Sequence, residues 1–385
     1  LDNLEPVGVS VTSVDPFTVD IAPTASLRFW TSYGIQVADG VTSVDGETCA
    51  PYNSAFNTIE PEALPVPMRA APINGSDVVD ANYLVVASGQ LPGLQVYDIT
   101  QPEAPELVAS VPTATEPWTV RALGERIYVP MGFNGVWIFD VSEPANPSFI
   151  GIGGTPGIAS DVVPFDAGGL TLLAVADGRG GLTLLNATDP KAVKTLWTHH
   201  FGVNVHATQI SFDGNRLAVA LGIDGFAVFD MAVPAAPTLT VQRMTQPIPE
   251  TFNSSSPVRD VLIRGDRVYV AIGGYGIQSY ALAEGGATFV DHAIGPNGLC
   301  QVNCPDVLGN LVASGDTIFA TSYISGVART VDDGSGNLTP VEVLPMPSRP
   351  RSLTLSDSML YVGTDAGLEV RLESAAPRDP AVYSE

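Results

Sequence analysis

Hydrophobic residues along most of this chain alternate with polar ones, in short runs that are separated by Gly and Pro. Runs with a period of two that are rich in β-branched and aromatic residues are typical of half-buried β-strands. No run shows the apolar stripe at helical spacing, with capping residues at its ends, that an amphipathic helix requires. The pattern therefore predicts an all-β fold.

One unit of this pattern recurs along the chain. Each copy contains a strand that opens with glycine and that ends, in the clearest copies, at Asp or Asn. The opening glycines are Gly93, Gly135, Gly181, Gly225, Gly276, Gly326 and Gly367. They are 42, 46, 44, 51, 50 and 41 residues apart. A repeat of this length that holds four short strands is typical of a propeller blade, so seven copies predict a seven-bladed β-propeller.

The copy around Gly225 shows the order of strands in a blade. Residues 209–212 are predicted as the innermost strand, 216–221 as the second, 225–230 as the third and 238–242 as the outermost. In other copies the Asp that ends the third strand begins an Asp-x-Ser/Thr-x-Pro turn. Because Asp accepts backbone hydrogen bonds in such a turn and Pro presets its φ, we expect these Asp residues to be structural.

A propeller must also close its ring, since an open ring leaves two sheet edges unpaired. The last copy supplies no fourth strand, and we predict that residues 64–69 complete the seventh blade. The propeller then spans residues 61–373, with a C-terminal tail at 374–385. Residues 1–60 are expected to form a β-rich extension packed on the propeller, and an eighth blade that includes residues 29–39 is the alternative.

The segment from Gly132 to Pro147 reads Gly-x-x-Gly-Val, a strand, and Asp-Val-Ser-x-Pro-x-x-Pro. It resembles the LVIVD-repeat proteins, and the resemblance extends over roughly residues 62–373. The motif weakens in copies five to seven, where Ala281, Val331 and Leu372 replace the Asp. The resemblance implies an exported bacterial or archaeal β-propeller that is periplasmic, on the outer surface or extracellular. The family offers no established catalytic residues, so none is carried over.

Composition argues against nucleic-acid binding and against a membrane-spanning helix. The 385 residues include 17 Lys+Arg and 41 Asp+Glu, a net charge of −24. Phosphate backbones would be repelled by such a chain, which argues against nucleic-acid binding. The sequence has no run of 18 apolar residues, so no membrane-spanning helix is expected.

No cofactor or metal is predicted, although two weak metal signals exist. His199, His200 and His206 are clustered, but neighbouring side chains on a strand point to opposite faces. Residues 333–337 place oxygen ligands at alternate positions, as Ca²⁺ loops do, without the downstream bidentate Glu. A plain polar turn is the better interpretation, and Ca²⁺ is the alternative.

Three cysteines are present. Cys300 and Cys304 are spaced for a small disulfide loop, which suits an oxidising compartment. The alternative to this loop is a disulfide between Cys49 and one of them; otherwise Cys49 is expected to be free.

Two sets of residues are candidates for binding. The first is one polar residue at the start of each innermost strand, which either lines the axial channel or satisfies backbone groups of the next blade. The candidates for lining the channel are Asp161, Gln209, Asp260 and Asn310, within a series that also includes Asp77, Thr119 and Ser352. The second set is the tips of the turns between the second and third strands. These tips are Phe133, Arg179, Ile223, Tyr275 and Tyr323. They either form a partner surface or fold inward over the blade junctions.

The sequence shows no nucleophile elbow, phosphate-binding glycine loop or H-E-x-x-H motif. We therefore expect a non-catalytic exported propeller that binds a protein partner, or serves as a structural subunit, in a surface or envelope complex. The alternative is an enzyme, such as a hydrolase, lactonase or dehydrogenase, with a polar site at the mouth of the axial channel. Asp161, Asp260 and His206 are the nearest candidates for such a site.

Overall fold

Every secondary-structure element that the structure describes is a β-strand. The computed structural model describes residues 9–15, 18–23, 32–37, 52–57, 72–89, 93–102, 104–113, 115–247, 257–293, 308–323, 326–356 and 358–372. The chain divides into two units, Leu1–Pro67 and Met68–Glu385. The first unit contains two antiparallel pairs, formed by β1 (Val9–Asp15) with β2 (Thr18–Pro23) and by β3 (Ser32–Val37) with β4 (Tyr52–Asn57).

The second unit is a seven-bladed β-propeller, as the repeat predicted. Blade 1 is formed by β5 (Ile73–Val79), β6 (Tyr83–Ser88), β7 (Leu94–Asp98) and β8 (Glu106–Val111), and blade 2 by β9 (Arg121–Leu123), β10 (Arg126–Pro130), β11 (Val136–Asp140) and β12 (Ser148–Gly153). Blade 3 is formed by β13 (Asp161–Ala167), β14 (Leu170–Ala176), β15 (Leu182–Asn186) and β16 (Lys194–His199), and blade 4 by β17 (Gln209–Phe212), β18 (Arg216–Ala220), β19 (Phe226–Asp230) and β20 (Thr238–Arg243). Blade 5 is formed by β21 (Asp260–Arg264), β22 (Arg267–Ala271), β23 (Ile277–Ala283) and β24 (Gly286–Ala293). Blade 6 is formed by β25 (Leu308–Ser314), β26 (Thr317–Ser322), β27 (Gly326–Val331) and β28 (Glu342–Leu344). Blade 7 is formed by β29 (Pro350–Ser356), β30 (Met359–Thr364) and β31 (Gly367–Leu372).

Each blade is an antiparallel meander whose strands follow sequence order. In blade 4 the four strands begin within one residue of the predicted positions, because glycine and proline mark each turn there. Blade 7 has three described strands. The predicted closing strand at residues 64–69 and the tail at 374–385 lie outside the described residues.

Apolar side chains are buried between the blades rather than at the axis. The described residues form seven apolar clusters, and each cluster is shared by two neighbouring blades. One of them joins the last blade to the first through Met359 and Tyr361 on one side and Ile73 and Leu84 on the other. The ring is therefore closed by side-chain packing between blades 7 and 1.

Hydrogen bonds support the same closure. The hydroxyl oxygens of Ser76 in blade 1 and Thr354 in blade 7 lie 2.7 Å apart, and Thr354 also donates to the backbone carbonyl of Ser76 at 2.9 Å. Both side chains are buried. Buried hydroxyl groups that satisfy each other remove the penalty that either would cause alone.

The acidic residue after the third strand acts as the turn pattern predicts. One Asp98 oxygen accepts from the Thr100 amide at 2.8 Å and from its hydroxyl at 2.7 Å, and Asp140 does the same with Ser142 at 2.9 and 2.6 Å. These bonds favour the ionised form, so the hydrogen bonds from Thr100 and Ser142 lower the pKa of each carboxyl. These Asp residues hold the turn to the outer strand.

The glycine that opens the third strand is required by its backbone and by close packing. Gly225 has φ of +87°, and a Cβ there would lie 2.0 Å from the carbonyl oxygen of Arg243 on the outer strand. Gly181 meets the carbonyl oxygen of His199 in the same way at 2.0 Å. An L-residue in this conformation is strained, and it would also push the outer strand away.

We expect Gly225→Ala to lower the free energy of unfolding more than Gly214→Ala does. Gly214 also has positive φ, +98°, but a Cβ there would have no atom within 4 Å. The control should lose about 1–2 kcal/mol from the backbone alone, and Gly225→Ala about 1–3 kcal/mol more from overpacking. Urea unfolding of both variants measures the difference. Equal losses would show that the contact with Arg243 is unimportant.

Candidate binding face and axial channel

Backbone bridges place two kinds of loop on one face of the ring. In blades 2 to 5, the turn between the second and third strands pairs with the segment that leads into the next blade. Gly132 and Ala159 exchange two backbone hydrogen bonds of 3.1 and 3.0 Å, and Gly178 and Ala207 exchange two of 3.0 Å. We call the face formed by these turns and inter-blade connections the turn face.

Four of the five predicted tip residues are exposed on the turn face. Phe133 is 82% exposed and Ile223 is 63% exposed, while Tyr323 is also exposed. Arg179 is exposed, and its Nε donates to Nε2 of His206 at 3.1 Å. Tyr275 instead is half-buried against the cluster between blades 4 and 5. The tip therefore folds inward in blade 5 and is exposed in blades 2, 3, 4 and 6.

Three further exposed apolar residues lie on the inter-blade connections and were not among the predicted tips. They are Trp118, Val203 and Met244. Val203 is 92% exposed, between the tips of blades 3 and 4 in sequence. An apolar residue flanked by Gly202 and Asn204, outside any alternating run, is the sequence signal that could have identified it.

Side chains at the start of the innermost strands satisfy backbone amides around the channel. Asp161 Oδ1 accepts from the Val162 amide at 2.9 Å, and Oδ2 accepts from the Ile210 amide of the next blade at 3.1 Å. Asp260 does the same for Val261 at 2.8 Å and for Leu311 at 2.6 Å.

The residues of this series differ in the number of backbone amides from which they accept hydrogen bonds. Asp77 accepts from the amides of Val78 and Ala122, both at 2.8 Å, and among the described residues Asn310 accepts from one amide, that of Leu353, at 2.6 Å. Asn310 needs one acceptor because Asp260 already satisfies the amide of Leu311. An ionised Asp has two acceptor oxygens and Asn has one, so each residue type matches the number of amides it serves.

The equivalent position in blade 2 belongs to Arg121 rather than Thr119. The amide that receives the bond from blade 1 is that of Ala122, which directly follows Arg121. The Arg121 guanidinium lies 3.3 Å from Asp161 Oδ1. Gln209, the remaining candidate, is half-buried at the start of β17.

Burial raises the pKa of two of the channel carboxyls. Burial raises the pKa of Asp260 to about 7, assisted by the charge of Asp161 and opposed by the Leu311 and Val261 amides. Burial also raises the pKa of Asp77, against the attraction of Arg121. The six oxygens of Asp77, Asp161 and Asp260 each accept a backbone amide. These carboxylates are therefore engaged in the blade junctions.

The three clustered histidines do not converge. His199 stacks on Trp197 with ring centroids 5.7 Å apart, whereas His206 accepts from Arg179. Burial lowers the pKa of His199. Within the described ranges, no group of three or more His, Cys, Asp or Glu is arranged to hold a metal ion.

The predicted oxygen-rich loop at 333–337 is a turn bonded to itself. Asp333 Oδ1 accepts from the Ser335 amide at 2.8 Å and from its hydroxyl at 2.7 Å, and Oδ2 accepts from the Asn337 side chain at 2.8 Å. Hydrogen bonds from Asn337 and Ser335 lower the pKa of Asp333 to about 2. Cys49, Cys300 and Cys304 lie outside the described residues, so the disulfide stays a prediction.

Seven blades joined by shared apolar clusters define the protein as a seven-bladed β-propeller. A family model for the LVIVD repeat, a repeat found in β-propellers, matches residues 117–155. This match covers blade 2 and confirms the resemblance seen in the sequence. No curated protein matches the chain.

Solved structures share the fold at low identity. The computationally designed Ika8 protein is 11% identical with a TM-score of 0.52, covering 79% of this chain and 97% of its own. Saccharomyces cerevisiae Sqt1 is 9% identical with a TM-score of 0.57, covering 78% of this chain and 96% of its own. The part of the chain that the structure describes contains no helix long and apolar enough to cross a membrane.

Proposed function

We propose that this chain is a non-catalytic, exported β-propeller that binds a protein partner through its turn face, as a subunit of a cell-surface or envelope assembly. The observation that carries the proposal is the presence of three exposed apolar side chains on turn-face loops of blades 2 to 4. Phe133, Val203 and Ile223 are 82%, 92% and 63% exposed. Exposed apolar side chains gathered on one face of a charged protein are typical of a partner surface.

Composition supports the same proposal. Charged residues are 15% of the chain, and the net charge is −24. Outside the turn face, a surface with this charge repels other anionic surfaces over a distance. An apolar group on one face then gives the partner its site. The resemblance to exported LVIVD-repeat proteins supports the proposed localisation.

The channel carboxylates favour this proposal over an enzyme. General acid–base or nucleophilic catalysis needs a carboxylate that can reach substrate. The oxygens of Asp161 and Asp260 instead accept backbone amides of two adjacent blades. His206, the third candidate, accepts from Arg179 on the turn face.

A triple variant tests the partner surface. We expect Phe133→Ser, Val203→Ser and Ile223→Ser together to reduce recovery of one stoichiometric partner from a native envelope extract at least tenfold. Loss of three central apolar contacts of about 1 kcal/mol or more each would suffice.

The matched control changes three exposed apolar residues on outer strands: Leu107→Ser, Leu196→Ser and Leu239→Ser. This control should recover the partner as the unmodified chain does. Recovery of no stoichiometric partner, or equal loss with both triple variants, would contradict the proposal.

A further inference from the structure

A cavity of 590 Å³ opens near the ring axis on the turn face. Its lining comes from blades 1, 2, 5, 6 and 7, where the innermost strands begin. Only a site near the axis can be reached from so many blades. The volume is in the range of small-molecule sites, which is roughly 300–1,000 Å³.

Three arginines converge on this cavity. Arg349 and Arg351 share the carboxylate of Asp365, with an Arg349 Nε to Asp365 distance of 3.7 Å. Arg259 is exposed, and its guanidinium forms no ion pair or hydrogen bond with any residue that the structure describes. Two of the three cations thus have a protein anion beside them, and Arg259 is available to a ligand.

The local charge suits one negative charge. Glu116 is the acidic residue in the lining, and it accepts from the Asn74 side chain at 2.8 Å. Three arginines against Glu116 and Asp365 leave a net charge of +1. The whole chain carries −24, which repels ligands with several negative charges more strongly than those with one.

Flat apolar surfaces lie beside the arginines. Trp118 is 51% exposed in the lining, and the guanidinium carbon of Arg349 lies 3.4 Å from the ring centroid of Tyr323. Exposed aromatic rings in a cavity provide a surface on which a planar group can stack. The arginine fork provides paired donors for a carboxylate.

We propose that this cavity binds a single carboxylate carried on a flat apolar group. Arg259 holds the carboxylate, Arg349 and Arg351 add positive charge, and Trp118 packs against the apolar part. Two sources have this chemistry, a free aromatic acid and the C-terminal carboxylate of a peptide that ends in an aromatic residue. The site is independent of the proposed protein partner, since purified chain is sufficient to test it.

Calorimetric titration of the purified chain tests the proposal. The probes are 2-naphthoate, its neutral analogue 2-naphthamide, and the peptide Gly-Gly-Phe with a free or an amidated C-terminus. We expect saturable one-to-one binding of an acid. The matching amide should bind at least about tenfold more weakly, because a charge-assisted pair is lost. Binding of 2-naphthoate but not Gly-Gly-Phe identifies a free acid as the source, and the reverse identifies a peptide end.

Variants locate the binding. Arg259→Gln and Trp118→Ala should each weaken binding of the acid about tenfold or more. Arg329→Gln is the matched control, because Arg329 lies on β27 and pairs with Glu342 outside the cavity. It should bind as the unmodified chain does. Absence of binding by both acids, equal binding of acid and amide, or unchanged affinity in Arg259→Gln would overturn the proposal.

Discussion

Asp161→Ala should lower the free energy of unfolding by about 3–5 kcal/mol. Asp161 is fully buried and satisfies the amides of Val162 and Ile210 in two blades. Its removal leaves both amides unpaired and takes the nearest carboxylate from Arg121. Urea unfolding followed by tryptophan fluorescence measures the loss.

Asn310→Ala is the matched control for this prediction. Asn310 occupies the equivalent position in blade 6 but satisfies one amide, that of Leu353, and contacts no charged group within the described part of the chain. Its removal should cost about 1–3 kcal/mol, as expected for one unsatisfied buried amide. A loss in Asp161→Ala no larger than that in Asn310→Ala would contradict the role given to the carboxylate.

The second large effect is a loss of stability with rising pH that depends on Asp260. Burial raises its pKa from 3.8 to about 7 in the folded chain. Between these values the folded state holds a proton that the unfolded state has released. Protonation therefore stabilises the fold fully below about pH 4, and this stabilisation declines as the pH rises from about 4 and is lost above about pH 7.

Comparison with Asp260→Asn isolates this contribution, since every other side chain is the same in both proteins. Between pH 5 and pH 8.5, the unmodified chain should lose about 2–4 kcal/mol relative to the variant. Urea unfolding at a series of pH values measures both curves. Parallel curves would show that Asp260 does not titrate in this range.

The repeat predicted the strands of the ring because blades 1 to 4 and blade 6 open their third strand with a glycine at which no Cβ fits. Gly181 and Gly225 have no space for a Cβ, so the pattern remains readable in sequence. The weak copies in blades 5 to 7 still form sheets, since alternation alone buries residues such as Tyr280 and Phe319 between blades.

The register of blade 2 could not be predicted, for a physical reason. Its innermost strand, Arg121–Leu123, has three residues, which is too short for alternation to fix an alignment. The sequence therefore assigns Thr119 to the position that Arg121 occupies in the hydrogen-bonded series. A three-residue strand is held by the adjacent blade, here through the bond from the Ala122 amide to Asp77.

The axial cavity and the inward position of Tyr275 also depend on more than one blade. Asn74 and Arg351 are 277 residues apart in sequence, yet Arg351 donates to Asn74 at 3.2 Å where the ring closes. Tyr275 packs against residues of two blades. Local patterns identify each strand, but the partners across a blade junction come from the closed ring.

Hydrogen–deuterium exchange of the chain, with and without its stoichiometric partner, tests the proposed binding face most directly. We expect slower exchange on binding in the loops at residues 131–135, 200–208 and 221–225, which carry Phe133, Val203 and Ile223. Protection confined to the outer strands β8, β16 and β20, with those loops unchanged, would contradict binding through the turn face.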